Sequence, residues 1–384
     1  MKTVTTAAEL ESAISILSSA TVLAIDTEFM REKTYYPKLC LLQIACTHNG
    51  SDEVFLIDPL INKLDLKPLA QLWSDSSTVK VFHAGTQDLK ILFDACGVPP
   101  RPYFDTQDAA TLIGQPEQVG YGALVGRLLD VKLDKADSFT DWAKRPLSRD
   151  QLKYAAEDVT YLLQLYPLIV AELKSLGRET WLQAEFDHKS SPQTLIVDEC
   201  VQFRRLKRVA SLKPRQLAIA REVAAWREKE AMRRDIPKRW LLSDESILDI
   251  SRRAPANVKE LAALRGVDNN VKHSLPDIIA AVAAGVACPK DQLPQLPERR
   301  RLTGEDSAAI ELMAAIVRKR SAENRLSSSV LAPRALLEDY LASRSDECAL
   351  MQGWRKELVG DEIKRLLAGE VSLRYKDGCL VVEE

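Results

Sequence analysis

The sequence predicts an α/β domain, a mixed sheet flanked by helices, followed by two small all-α domains. Three observations predict it. The first 110 residues hold four short apolar or β-branched runs separated by polar or glycine-containing breaks. Helical patterns occupy the intervals from residue 65 to 174. From 204 to about 369 only helical patterns occur, and the charge balance reverses.

In chain order, "MKTVTTAAELESAISIL" carries two glutamates and reads as an amphipathic helix, not a secretory signal. The strand-like runs are "TVLAIDTEF" (21–29), "CLLQIAC" (40–46), "EVFLID" (53–58) and "VKVFHAG" (79–85). Helical patterns lie at about 65–74, 86–96, 105–113, 120–129 and 148–174. This first domain is expected to span 1–190. After the "HKSSPQ" break, 204–287 forms a first helical domain of several short amphipathic helices. A proline-bearing linker with a basic triplet follows at 288–305, then a second helical domain at 306–384. The latter closes on "EVSLRYKDGCLVVEE", where Asp377-Gly378 between alternating residues predicts a hairpin. The two helical stretches have similar lengths and read as diverged copies of one module.

Composition narrows the function classes. The chain has 384 residues, 46% apolar and 28% charged, and no run of about 18 apolar residues that would span a membrane. Seven scattered cysteines without a C-x-x-C pair point to reduced structural thiols in a cytoplasmic protein, and give zinc no support. No coiled-coil seam stands out, so a monomer is the default. The net charge of −2 hides an asymmetry: residues 1–200 carry 19 Lys+Arg against 28 Asp+Glu, and residues 201–384 carry 34 against 27. Within 204–239 there are 13 basic residues against 4 acidic. An acidic half joined to a basic half suggests cation chemistry in one and polyanion holding in the other.

Candidate chemistry begins with "VLAIDTEFM". Strand alternation puts Asp26 and Glu28 on one face and Thr27 on the other. Two neighbouring carboxylates repel each other and lose hydration, costs that a divalent cation offsets. A lone D-x-E is equally what a solvated turn after Ile25 looks like. The helix "QLKYAAEDVTYLL" adds weight. At 100° per residue Leu152, Ala155, Ala156, Val159 and Leu163 form a core stripe, and Lys153, Glu157, Thr160 and Gln164 a solvent stripe. Tyr154, Asp158, Tyr161 and Leu165 form a third stripe, roughly opposite the core. Asp88, in "HAGTQDLKIL", falls in the first turn of the helix after the fourth strand, where helix-dipole complementarity alone would favour an acid. Together Asp26, Glu28, Asp88 and Asp158 suit two divalent cations, Mg²⁺ or Mn²⁺, clamping the attacking and leaving oxygens of a phosphodiester. A tyrosine with an ordinary pKa of about 10 is better placed to aim a water than to deprotonate it.

"DTEFMREKTYYPKLCLLQIA", "VFHAGTQDLKIL" and "LDKADSFTDWAKRPLSRDQLKYAAEDVTYLL" resemble the three exonuclease motifs of the DEDD superfamily, in its tyrosine-bearing branch. The "MREKTYYPKLCLLQ" and "DWAKRPLS" segments resemble an RNA-processing group of that branch more closely than the DNA-polymerase proofreading domains. The resemblance covers essentially the whole chain, because that group also carries C-terminal helical HRDC-type modules; the second module is the less clearly matched. It implies a ribonuclease-H-like fold and a metal-dependent 3′→5′ exoribonuclease releasing nucleoside 5′-monophosphates, chiefly from 3′-extended tRNA precursors and other small structured RNAs. It maps Asp26, Glu28, Asp88, Tyr154 and Asp158 onto the catalytic set, with the four acids as metal ligands.

Other residues are weaker candidates. His83 is placed near the mouth of the site as a possible substrate contact, against a satisfied histidine at a strand end. Only four histidines exist, so a histidine-dependent phosphodiesterase is poorly supported. Asp105 and Asp108 are expected to cap or flank a helix. Gly120, Gly122 and Gly126 make no phosphate loop of recognised spacing, and Trp142 and Trp226 read as packing residues. Two alternatives share part of this evidence: a DNA exonuclease with the same metal chemistry, and a non-catalytic nucleic-acid-binding scaffold.

Overall fold

The computed structural model describes residues 1–133, 140–267, 269–296 and 303–384. Residues 134–139 of the third motif and 297–302 of the expected linker lie outside them. Six strands form one mixed sheet: β1 (Lys2–Val4), β2 (Val22–Met30), β3 (Lys38–His48), β4 (Ser51–Ile57), β5 (Val79–Phe82) and β6 (Tyr103–Asp105), in the spatial order β1-β4-β3-β2-β5-β6. β3 and β4 are antiparallel through a two-residue turn at Asn49-Gly50, both with positive φ, while β1 pairs parallel to β4 and β5 parallel to β2 and β6. All four predicted strands are present. The sequence reading missed β1 and β6, which at three residues each are too short to show a period. The N-terminal helix α1 accordingly begins only at Ala7, behind a Thr6–Glu9 capping box, and runs to Leu17. The fourth strand stops at Phe82 because Ala84 turns left-handed, with φ of 56°.

Helices α2 (Ala70–Ser74), α3 (Thr86–Cys96), α4 (Thr106–Thr111), α5 (Tyr121–Leu129) and α6 (Arg149–Ser175) follow the predicted order. The start of α6 is fixed by a Ser148–Gln151 capping box. It buries Ala155, Val159, Leu162, Leu163, Ile169 and Leu173. One placement is corrected: Leu165, grouped by periodicity with Tyr154 and Asp158, is fully buried. A helix covered by neighbours on more than one side has no single apolar stripe, so the stripe around Asp158 is polar only over its first three turns.

The described residues divide into two compact units. One comprises Met1–Glu28, Cys40–Leu195 and Arg300–Glu384; the other comprises Phe29–Leu39 and Ile196–Arg299. In the second unit a helical core around Ile219, Val223, Ile247, Val271 and Ile278 also receives Tyr35. The Tyr35 and Tyr36 amides donate to Asp235, each at 3.0 Å, and the Tyr35 hydroxyl donates to Glu228 at 2.5 Å.

The helix bounds of the two helical stretches repeat. Pro214–Arg234, Lys238–Leu241 and Asp244–Arg253 are matched by Gly304–Asn324, Ser328–Leu331 and Arg334–Ser343, every bound shifted by the same 90 residues (214 to 304). The long helix of each set ends on a left-handed residue, Asp235 or Arg325. Within the first unit the later set is fastened by Trp354, stacked on Trp181 with ring centroids 4.8 Å apart and planes 2° from parallel. Arg178 lies over Trp181 and Arg355 over Trp354, so two cations flank two indoles. The predicted terminal hairpin is present as β7 (Ser372–Lys376) and β8 (Cys379–Glu383), turning at Asp377-Gly378. None of the described helices is long and apolar enough to cross a membrane.

Candidate active site

β2 lies inside the sheet between β3 and β5. Its first half, Leu23, Ala24 and Ile25, is completely buried, and the strand continues without a break to Met30. The reading in which Asp26 and Glu28 sit in a solvated turn is therefore excluded. Asp26 and Glu28 are half-buried while Thr27 between them is buried, as the pleat requires. Asp158 enters from α6, and one oxygen from each of Asp26, Glu28 and Asp158 lies within 4.8 Å of the others. Tyr154, one helical turn before Asp158, lines the same cavity, and its hydroxyl favours the ionised form of the Asp158 carboxyl.

Asp88 stands just outside that triplet. It occupies the first turn of α3, is 8% exposed, and accepts a hydrogen bond from the Thr27 hydroxyl. Its charge is still felt by Asp26 and Glu28. The turn delivering it needs glycine at position 85, because a Cβ there would meet the Phe82 Cβ at 2.4 Å. The same turn is held by Asp105, whose oxygens accept from the Ala84 and Gly85 amides at 2.9 and 3.0 Å and from the Tyr103 hydroxyl at 2.6 Å. Asp105 also caps α4 through the Gln107 amide, as expected. Its second task has no local signature, because it depends on β6 running beside β5. Asp108 is engaged by Lys189 at 2.6 Å.

His83 lines the same cavity as Asp26, but both ring nitrogens are occupied, Nδ1 by Thr106 and Nε2 by the Val119 carbonyl, each at 3.0 Å. Burial holds its pKa below the ordinary value. It meets a ligand only through the ring edge or face. The cavity measures about 680 Å³ and is further walled by Tyr121, Leu162, Tyr154 and Asp158. Gly122 and Gly126 of α5 also line it, so two of the glycines set aside on spacing grounds border the site as small residues on a helix.

The electrostatics are those of anions crowded without a counter-charge. Burial and then repulsion from Asp158, Asp88 and Glu28 push Asp26 well above the carboxylate range. Burial and then repulsion from Asp158 and Asp88 raise Glu28 to about 8. Burial raises Asp158 to about 7, against the opposing hydrogen bond from Tyr154. Burial raises Asp88 to about 6, against the Thr27 hydrogen bond. No lysine or arginine among the described residues forms an ion pair with any of the four. A hard divalent cation, which takes oxygen ligands and tolerates several carboxylates at once, fits this donor set.

A mixed six-stranded sheet with carboxylates from a central strand and a long helix converging beside a cavity is the setting of a nuclease. Residues 1–174 match the family model described as 3′-5′ exonuclease, and residues 216–282 match that of the HRDC domain. A 3′-5′ exonuclease with a helical C-terminal region is thus the class. The chain is 39% identical to ribonuclease D of Nitrobacter hamburgensis, over 99% of both sequences, and 36% identical to that of Sphingobium indicum over 95% of this chain and 94% of the relative. It covers 98% of the crystal structure of Escherichia coli RNase D, described as an exoribonuclease involved in structured RNA processing, at 29% identity and a TM-score of 0.83 over 96% of this chain. The chain belongs to the ribonuclease D family. It is a 3′-5′ exoribonuclease of the DEDD type, dependent on divalent metal, with RNA as its substrate.

Proposed function

We propose that this enzyme trims the 3′ extensions of tRNA precursors and other small structured RNAs in the cytoplasm, releasing nucleoside 5′-monophosphates. Asp26, Glu28, Asp88 and Asp158 would hold two divalent cations, Mg²⁺ or Mn²⁺. The observation that carries this reading is the meeting of Asp26, Glu28 and Asp158 oxygens within 4.8 Å. Held there, such a pair would supply Lewis-acid activation of a water and charge stabilisation for the attacking and leaving oxygens.

The chain's own groups do the rest. Burial and the surrounding carboxylates push the Tyr154 phenol above its ordinary value, so it stays protonated at neutral pH and acts as a donor. It is suited to orient the attacking water, not to take its proton. Tyr121 and Leu162 wall the cavity and limit solvent around the 3′-terminal nucleotide. Water adds to the terminal phosphorus, the bond to the 3′-oxygen of the penultimate nucleotide breaks, and that oxygen takes up a proton. The phosphate stays on the released residue. Tyr154→Phe is expected to lower kcat on the order of 10²-fold, the scale of a positioned proton-handling group, while metal affinity measured by calorimetry changes little. Equal losses in both would make the phenol structural.

We also propose a division of labour along the chain: the nuclease at 1–190, an HRDC-type module at 204–287, a linker at 288–305 and a second, HRDC-like module at 306–384. Arg204, Arg205, Lys207 and Arg208 are exposed and form no ion pair among the described residues, which suits them to the phosphates of an RNA body. Incubation with a 3′-extended tRNA precursor, with and without EDTA, tests the substrate and the product together. Stepwise shortening from the 3′ end to nucleoside 5′-monophosphates, abolished by EDTA, is expected. Faster turnover of a matched DNA strand would overturn the reading.

A further inference from the structure

The "DWAKRPLS" segment leads into α6, and one side chain within it uses every donor it has. Arg145 Nε donates to Asp58 Oδ2 at 2.5 Å, and Nη2 donates to Asp58 Oδ1 at 2.8 Å and to the Cys40 carbonyl at 2.7 Å. Nη1 donates to the carbonyls of Trp142 at 2.7 Å and Lys144 at 2.8 Å. All five N–H groups of the guanidinium are thereby spent. Asp58, its side chain 3% exposed, is itself fixed at the end of β4 by the Leu60 and Ile61 amides. One cation thus ties the ends of two neighbouring strands to the loop that leads into α6.

The loop's buried side chain is Trp142, 3% exposed, whose ring lies 6.1 Å from the Tyr154 ring at 41°. The indole Nε1 has no hydrogen-bond partner among the described residues. No polar anchor of its own therefore sets the ring. Its place depends on packing and on where its backbone is held, and Arg145 grips that backbone at the Trp142 carbonyl.

We propose that Arg145, anchored on Asp58 and acting through Trp142, is a positioning residue for the Tyr154 phenol. The claim rests on the proposed role of Tyr154. The guanidinium braces the loop against the sheet, the loop fixes the indole, and the indole closes one side of the Tyr154 ring. The hydroxyl is then left with the narrow range of positions from which it reaches both Asp158 and a water. Lysine keeps the charge at 145 but cannot reproduce a planar five-donor fork, and small displacements of a reacting group are costly in rate.

A double-mutant cycle on the full chain tests this. Arg145→Lys is expected to lower kcat about 10- to 100-fold, with KM for a short RNA within about threefold and Mn²⁺ affinity by calorimetry unchanged. In a Tyr154→Phe background the same substitution is expected to change kcat by less than about twofold, since its effect travels through the missing hydroxyl. Trp142→Phe, which leaves the backbone grip in place, is expected to show the same coupling and serves if Arg145→Lys fails to fold. An unchanged kcat in folded Arg145→Lys overturns the proposal, as does a loss of equal size with and without the hydroxyl. If Tyr154→Phe alone leaves kcat untouched, the reading of Tyr154 falls first and the positioning role with it. If it lowers kcat but the cycle is additive, only the positioning role falls.

Discussion

Asp26→Ala is expected to abolish hydrolysis, with a fall in kcat on the order of 10³-fold or more, the scale of losing a group that acts as part of a catalytic unit. RNA binding measured in Ca²⁺ is expected to change little. Asp26 has the position to justify so large an effect. It lies on a strand fixed by neighbours on both sides, and repulsion from Asp158, Asp88 and Glu28 all reaches it. Removing it takes away the group on which the other three bear. Folding is not expected to suffer, because deleting one of several crowded carboxylates relieves repulsion. Undiminished hydrolysis by a pure preparation of this variant would remove the site.

The second large effect is on pH. Glu28 is raised to about 8, Asp158 to about 7 and Asp88 to about 6, each chiefly by burial, and Asp26 is pushed well above the carboxylate range by burial and its neighbours. Without metal Glu28 holds its proton at neutrality and Asp158 about half of one, and a cation must displace them. Metal affinity is therefore expected to climb as pH rises from about 6 to 8, with on the order of one or two protons released per ion. Stability follows the same signs. A carboxyl whose folded pKa exceeds its unfolded value contributes stability that is fully present below the unfolded pKa and is lost as pH rises through the folded one. Asp88, Asp158 and Glu28 start from ordinary values near 4, so for the metal-free protein their contribution falls away as pH passes about 6, 7 and 8 in turn. The rise in Tm on adding Mn²⁺ is expected to grow over the same interval. Calorimetry in buffers of different ionisation enthalpy checks proton release, and thermal melts across the pH range check stability. A metal affinity flat between pH 6 and 8 would contradict the crowded-anion picture.

What could be read directly from the sequence was whatever has a short period. Alternation put Asp26 and Glu28 on one strand face, and the helical repeat put Tyr154 and Asp158 together; both relations hold in the structure. The first turn of a helix correctly located Asp88, though not its hydrogen bond with Thr27, which comes from 61 residues away. Features fixed by distant partners stayed hidden. Asp105 braces the Ala84-Gly85 turn only because β6 lies beside β5, and Arg145 finds Asp58 across 87 residues. No local pattern encodes either. Leu165 was misplaced for a related reason, since periodicity describes a helix with one buried side and α6 has more. The likeness of the two helical stretches, faint in residue identities, is plain in the helix bounds, because packing constrains lengths and turns more than side chains.

Diffraction from crystals soaked in Mn²⁺, with data collected at a wavelength where manganese scatters anomalously, tests the central claim most directly. Two anomalous peaks about 3.5–4 Å apart, ringed by Asp26, Glu28, Asp88 and Asp158 with the Tyr154 hydroxyl alongside, are the predicted result. Peaks elsewhere on the molecule, or none among these four carboxylates at saturating metal and pH 8, would contradict it.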